Sequence, residues 1–172
     1  MSKLRSLSHS FLLSSFQSRR RWVLQALLAG VAPAWAAQGA SERLLPTSQS
    51  LPRDLAAALA GKQPLVVMAT LRGCPFCKIV REHHLLPLRE AGAFVTQIHF
   101  LSSQPLQGWG GAATTHGEMV KQLRIEVAPT VLFYGAGGKE VAERLSGSSI
   151  PDFYGAYLEE RVKTAQAAVL RR

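Results

Sequence analysis

Cys74 and Cys77, the only cysteines in this 172-residue chain, stand three positions apart in Gly73-Cys74-Pro75-Phe76-Cys77-Lys78. Thiols at this spacing can form a structural disulfide, supply half of a metal site, attach haem, or act as a redox pair. Haem attachment needs a histidine directly after the second cysteine, and residue 78 is lysine. Zinc needs two further ligands; His83 and His84 are near in sequence, but the four-ligand spacings are absent. A disulfide closing so small a loop removes little chain entropy, which makes it a poor staple. Redox chemistry asks for a thiolate, because a neutral thiol barely attacks a disulfide. A helix starting at Cys74 would provide it, since free N–H groups and the helix dipole favour an anion there. Pro75 fits the first helical position, where its missing N–H has no partner to lose. Cys77 then falls almost one turn on, close enough to resolve a mixed disulfide on Cys74. Arg72 and Lys78 add positive charge on either side.

The surrounding elements must deliver Cys74 to such a place. Leu51, Leu55 and Leu59 recur at helical spacing before Gly61. Pro64–Leu71 is a continuous apolar run, the pattern of a strand buried on both faces. A helical stretch with Ile79, Val80, Leu85 and Leu88 follows the cysteines, then a second strand over Ala93–Phe100. Ser102–Gly117 reads as a polar, glycine-rich loop carrying Trp109, placed either over the active site or on the core edge. A short helix spans Glu118–Leu123. A hairpin pairs Thr130–Tyr134 with Glu140–Leu145 across Gly135–Gly138. The last helix, Ile150–Leu170, carries Phe153, Tyr157, Leu158, Val162 and Ala165 along one side. Helical crossovers make the early strands parallel, and the fold class is α/β: a mixed central sheet flanked by helices in one domain. His99 and His116 have no discernible partner in the sequence.

Strand, Cys-x-x-Cys at a helix start, then Val127-Ala128-Pro129-Thr130 ahead of a hairpin and a final helix: this order resembles the thioredoxin superfamily, over roughly Leu51 to Leu170. The resemblance implies that Pro129 is cis and faces the dithiol. It implies that Ala128 offers its backbone to a bound substrate, and that Pro75 and Phe76 join Ala128 and Pro129 in substrate binding. Gly147 matches a glycine common in the family. Two departures stand out. The Pro75-Phe76 filling is similar to the Pro-Tyr pair of glutaredoxins, and Met68 occupies the place of the buried acid of thioredoxins. The overall pattern, with Leu86-Pro87-Leu88 closing the active-site helix, most resembles periplasmic thioredoxins of the sulfur-oxidation type.

The first 36 residues read as an address. They hold five of the 20 basic residues and no acid, and lead through Arg19-Arg20 into an apolar run ending Ala34-Trp35-Ala36. This is expected to be a signal peptide of the twin-arginine type. Residues 37–49 are expected to be a flexible mature N-terminus, and 50–172 the thioredoxin-like domain. The charge of +9 falls to an ordinary +4 beyond the signal segment, so nucleic acid is not an expected partner. An exported chain meets an oxidising compartment, where Cys74 and Cys77 are expected to form a disulfide at least part of the time. The expectation is a soluble periplasmic thiol–disulfide oxidoreductase. It would need no cofactor beyond the Cys74–Cys77 disulfide and no metal, and would act mainly as a reductase of protein or small-thiol disulfides. A membrane electron donor would re-reduce it. The alternative is a Cu(I)-handling protein, with His99 or His116 completing a thiolate site.

Overall fold

The computed structural model describes residues 39–147 and 151–171; the expected signal segment lies outside them. Helix α1 (Leu51–Ala60) starts where Ser50 accepts a hydrogen bond from the Arg53 N–H at 3.3 Å, with proline in its first turn. Such a cap is worth about 1 kcal/mol. Gly61 ends the helix against the Phe94 ring, which an added Cβ would meet at 2.8 Å. Strand β1 (Leu65–Thr70) is buried along its whole length, as its unbroken apolar run requires.

The active-site helix runs as α2 (Pro75–Val80), a π-helical turn (Arg81–Leu85) and α3 (Leu86–Glu90). Pro87 has no N–H to donate one turn back, and the Leu86 N–H instead reaches Arg81 O, five residues earlier. Strand β2 is Phe94–His99, and two short strands, β3 (Pro105–Gln107) and β4 (Ala113–Thr115), pair antiparallel. Helix α4 (His116–Gln122) is capped by Thr115, which accepts from the Glu118 N–H at 3.2 Å. Strands β5 (Thr130–Gly135) and β6 (Lys139–Ser146) form the hairpin, and α5 (Pro151–Leu170) closes the described chain.

The main sheet has the order β2-β1-β5-β6. β1 and β2 are parallel, as a helical crossover demands, while β5 pairs antiparallel with both β1 and β6. Alternation along β1 splits the core. Leu65, Val67 and Ala69 face a cluster with α1, α4, Tyr134 and Trp109. Val66 and Met68 face a second cluster with Cys77, Val80, Leu85, Tyr154 and Leu158. The dithiol therefore sits on one side of the sheet only.

Three expectations need correcting. Ser102–Gly117 is not plain loop, because it carries the β3–β4 pair. Of the two placements expected for Trp109 it takes the core edge, its ring 4.6 Å from that of Tyr134 and against Gly138. Residues 39–49, read as flexible, are packed: Ser41, Leu45 and Ser48 are buried, Thr47 bridges to Gln97, and the Gln49 carbonyl accepts from the Gln107 N–H at 2.9 Å. We call this segment the strap. Lastly, the buried stripe of α5 runs through Tyr154, Leu158 and Ala165, leaving Phe153 (60% exposed) and Tyr157 (44%) outside. Tyr157 lies about 100° around the helix from Leu158, which takes it off the core face.

Candidate active site

β1 ends at Thr70, and Leu71 to Gly73 turn the chain so that Cys74 caps α2. Gly73 has φ +74°, a conformation glycine adopts without strain. The Cys74 sulfur accepts a hydrogen bond from the Cys77 N–H at 3.1 Å. This is the backbone donor a sulfur anion needs, supplied by the first turn of the helix. Cys74 is partly exposed and Cys77 fully buried, and both are free thiols. Burial, then the hydrogen bond with Cys74, pushes the Cys77 thiol up to about 11. The Leu71 N–H and the Thr70 hydroxyl act in the opposite direction.

The Ala128–Pro129 peptide is cis, and Ala128 O lies 4.0 Å from the Cys74 sulfur. Pro129 is buried and its carbonyl accepts from the Gly147 N–H at 2.7 Å. Pro75 and Phe76 stand on the exposed side of the dithiol, with Phe76 54% exposed. Leu71 and Val127, also exposed, extend this apolar collar. The six residues expected at the site are thus brought to one end of the sheet, around Cys74.

This combination of strand, capped helix and facing cis-proline extends over a recognised domain: residues 51–161 match the thioredoxin-like domain family. The chain belongs to that family. Among solved structures, similar chains include mitochondrial thioredoxin 3 of Saccharomyces cerevisiae in its oxidised form (17% identity, 72% of this chain and 97% of that one, TM-score 0.45). Others are a thioredoxin-fold protein from Helicobacter pylori (14%, 79% and 95%, 0.49) and a thioredoxin from Thermus thermophilus (23%, 69% and 85%, 0.46). No curated protein matches this chain.

In this thioredoxin-like domain Met68 is fully buried beside Cys77, in the position where thioredoxins carry an acid. The buried polar group nearby is a different one. Arg81, 2% exposed, donates from Nη2 to Thr70 Oγ1 (2.6 Å), from Nη1 to Ser41 Oγ (3.2 Å) and from Nε to Gln97 Oε1 (3.2 Å). Gln97 in turn donates to Glu42 O (2.6 Å) and Leu45 O (3.0 Å) of the strap. Glu42 reaches the active-site turn itself: its carboxylate accepts from the Gly73 N–H at 3.2 Å and lies 3.8 Å from Arg72. Sequence reasoning missed Arg81, Thr70, Gln97 and Glu42, because an arginine in a helical run reads as a solvated side chain.

His99 and His116 do find partners. The His99 N–H donates to His116 Nδ1 at 3.2 Å, the two rings lie 5.7 Å apart, and His99 Nε2 is 3.2 Å from Thr47 Oγ1. Among the described residues no three His, Cys, Asp or Glu side chains converge, so neither histidine joins the dithiol. Burial, then the neighbouring His116, holds His99 at about 4, while burial lowers His116 and His84 as well. An unfolded histidine titrates near 6.5, so between about 6.5 and 4 the unfolded chain binds more protons. Stability is therefore expected to be full above pH 6.5 and to fall as the pH drops toward 4. Urea midpoints measured across that window should show the decline, and His99→Gln should flatten it.

Proposed function

We propose that this chain is an exported, periplasmic thiol–disulfide oxidoreductase of the sulfur-oxidation type, working chiefly as a reductase. One observation carries the redox part of the reading. A partly exposed cysteine at a helix start turns its sulfur to the Ala128 carbonyl, while its partner is buried one turn behind. The first can meet a client; the second can meet only the first.

The Cys74 thiolate attacks a client disulfide, forming a Cys74–client bond. The client's other sulfur leaves with the electron pair and takes up a proton. Cys77 then attacks Cys74, the Cys74–client bond breaks, and the client's second sulfur leaves with its electron pair and is protonated. The client gains two electrons and two protons, and the dithiol becomes a disulfide. A dithiol or membrane electron donor must restore it. The apolar collar of Leu71, Phe76 and Val127 suits an extended protein client paired to the Ala128 backbone. Among the described residues no helix is long and apolar enough to cross a membrane.

Cys77→Ser is expected to stall the cycle after the first attack. Non-reducing gels should then show client adducts that disappear on adding dithiol. A Cys77→Ser chain that accumulates no adduct with a disulfide client sinks the proposal. The reductase direction is tested separately by equilibrating the pair with glutathione. A potential near −270 mV supports it and one near −120 mV reverses it. Retention of an alkaline-phosphatase fusion in the cytoplasm would remove the export part.

A further inference from the structure

The feature left over by that cycle is the buried guanidinium. Arg81 lies on the same helix as Cys77, one turn further on, and all three of its nitrogens are taken by neutral oxygens. None of the ion pairs among the described residues includes it. A buried cation without a counter-charge is costly, and the cost falls if a neighbour can become an anion. The Arg81 backbone N–H donates to Cys77 O, so the two residues stand one turn apart on one helix face. Thr70, whose hydroxyl accepts from the Arg81 side chain, also acts to favour the Cys77 anion.

We propose that Arg81 is the positioning residue for negative charge on Cys77: it lowers the cost of forming the resolving thiolate inside the core. A buried acid at position 68 would accept the Cys77 proton. Here that position is apolar, and the charge that replaces the acid has the opposite sign. The proton lost by Cys77 passes to solvent or to the departing client sulfur, while the guanidinium, bridged by Thr70, steadies the anion left behind. Burial lowers the Arg81 pKa, and attraction to Cys77, then to Glu42, Glu82 and Cys74, opposes that. The other groups facing this pair are Tyr154 from α5, raised by burial and by Cys77, and His99 from β2, neutral above about pH 4.

The kinetic size follows from thiol chemistry. Below its midpoint a thiol loses tenfold in thiolate for each unit its pKa rises, and regains part of that in nucleophilicity. The net loss is about 3- to 4-fold per unit. An opposite charge held close moves a pKa by about one unit or more.

The test uses the reduced chain and an aromatic disulfide that releases a coloured thiolate. The first equivalent reports attack by Cys74, and the second reports resolution by Cys77. Arg81→Gln, which keeps hydrogen-bonding capacity but no charge, is expected to slow the second phase about 3-fold or more near neutral pH. The deficit should vanish above both midpoints, and Arg81→Lys should track the parent. A second phase equally slow at every pH would mean a structural role only, and an unchanged one would mean no role; either overturns the inference. The kinetics rest on the oxidoreductase reading, but a parent chain with no second phase is a failure of that reading alone. In that case, or if Arg81→Gln does not fold, carbon NMR of the reduced parent decides. The Arg81 Cζ resonance must shift with the pH midpoint of Cys77 Cβ, and a flat Arg81 signal overturns the inference.

Discussion

Cys74→Ser is expected to bring disulfide reduction, measured as insulin precipitation, down to the buffer rate while leaving the unfolding midpoint near that of the parent. The loss is complete because a serine hydroxyl is not ionised at neutral pH and cannot displace a thiolate from sulfur. The fold survives because Cys74 holds its place as the cap of α2, accepting from the Cys77 N–H. Serine is among the best residues for that task. The contrast with Cys77→Ser is informative. Cys77 is wholly buried in the cluster with Val80, Leu85 and Met68, so Cys77→Ser alters core packing as well as removing the resolving sulfur. An active Cys74→Ser chain would place the chemistry on another residue.

Gln97→Leu is expected to be the most damaging substitution outside the dithiol, costing about 3–5 kcal/mol in urea unfolding. Gln97 is fully buried in the middle of the sheet's edge strand and joins three bodies: β2, the strap and the active-site helix. Leucine fills the volume but leaves the Arg81 Nε–H and the Glu42 and Leu45 carbonyls without their partner. Each buried orphan costs about 1–3 kcal/mol, against a total stability for a domain of about 5–15 kcal/mol. The strap should loosen first, so limited proteolysis should cut within 39–48 before the rest of the domain unfolds. A parent-like urea midpoint would show that these bonds are dispensable.

The parts of this molecule that follow local rules were legible before any coordinates. β1 shows as an apolar run because both faces are buried, and the cap and proline at Cys74-Pro75 announce a helix start. Gly135 to Gly138 mark the hairpin turn. The site residues also came in one piece, because strand end, dithiol and Pro129 keep a recognisable order. What escaped depends on contacts across long separations. Gln97 meets Leu45 over 52 residues, and neither carries a signal for the other. Arg81 looks like any surface arginine until the strap covers it. The β3–β4 strands, three residues each, are too short to show an alternating pattern. On α5 the error was one of phase: the sequence reading puts Phe153 and Tyr157 on the core face with Leu158 and Ala165, yet Tyr154 has the register that joins those two against the sheet.

The division of the core by β1 has an optical consequence. Trp22 and Trp35 belong to the segment expected to be removed, which leaves Trp109 as the single indole of the remaining chain. It packs tilted against Tyr134 in the cluster on the far side of the sheet from Cys77. A sulfur–sulfur bond is an efficient quencher only at contact, so the emission of this protein is a witness to its folding and stays dark to its electron traffic.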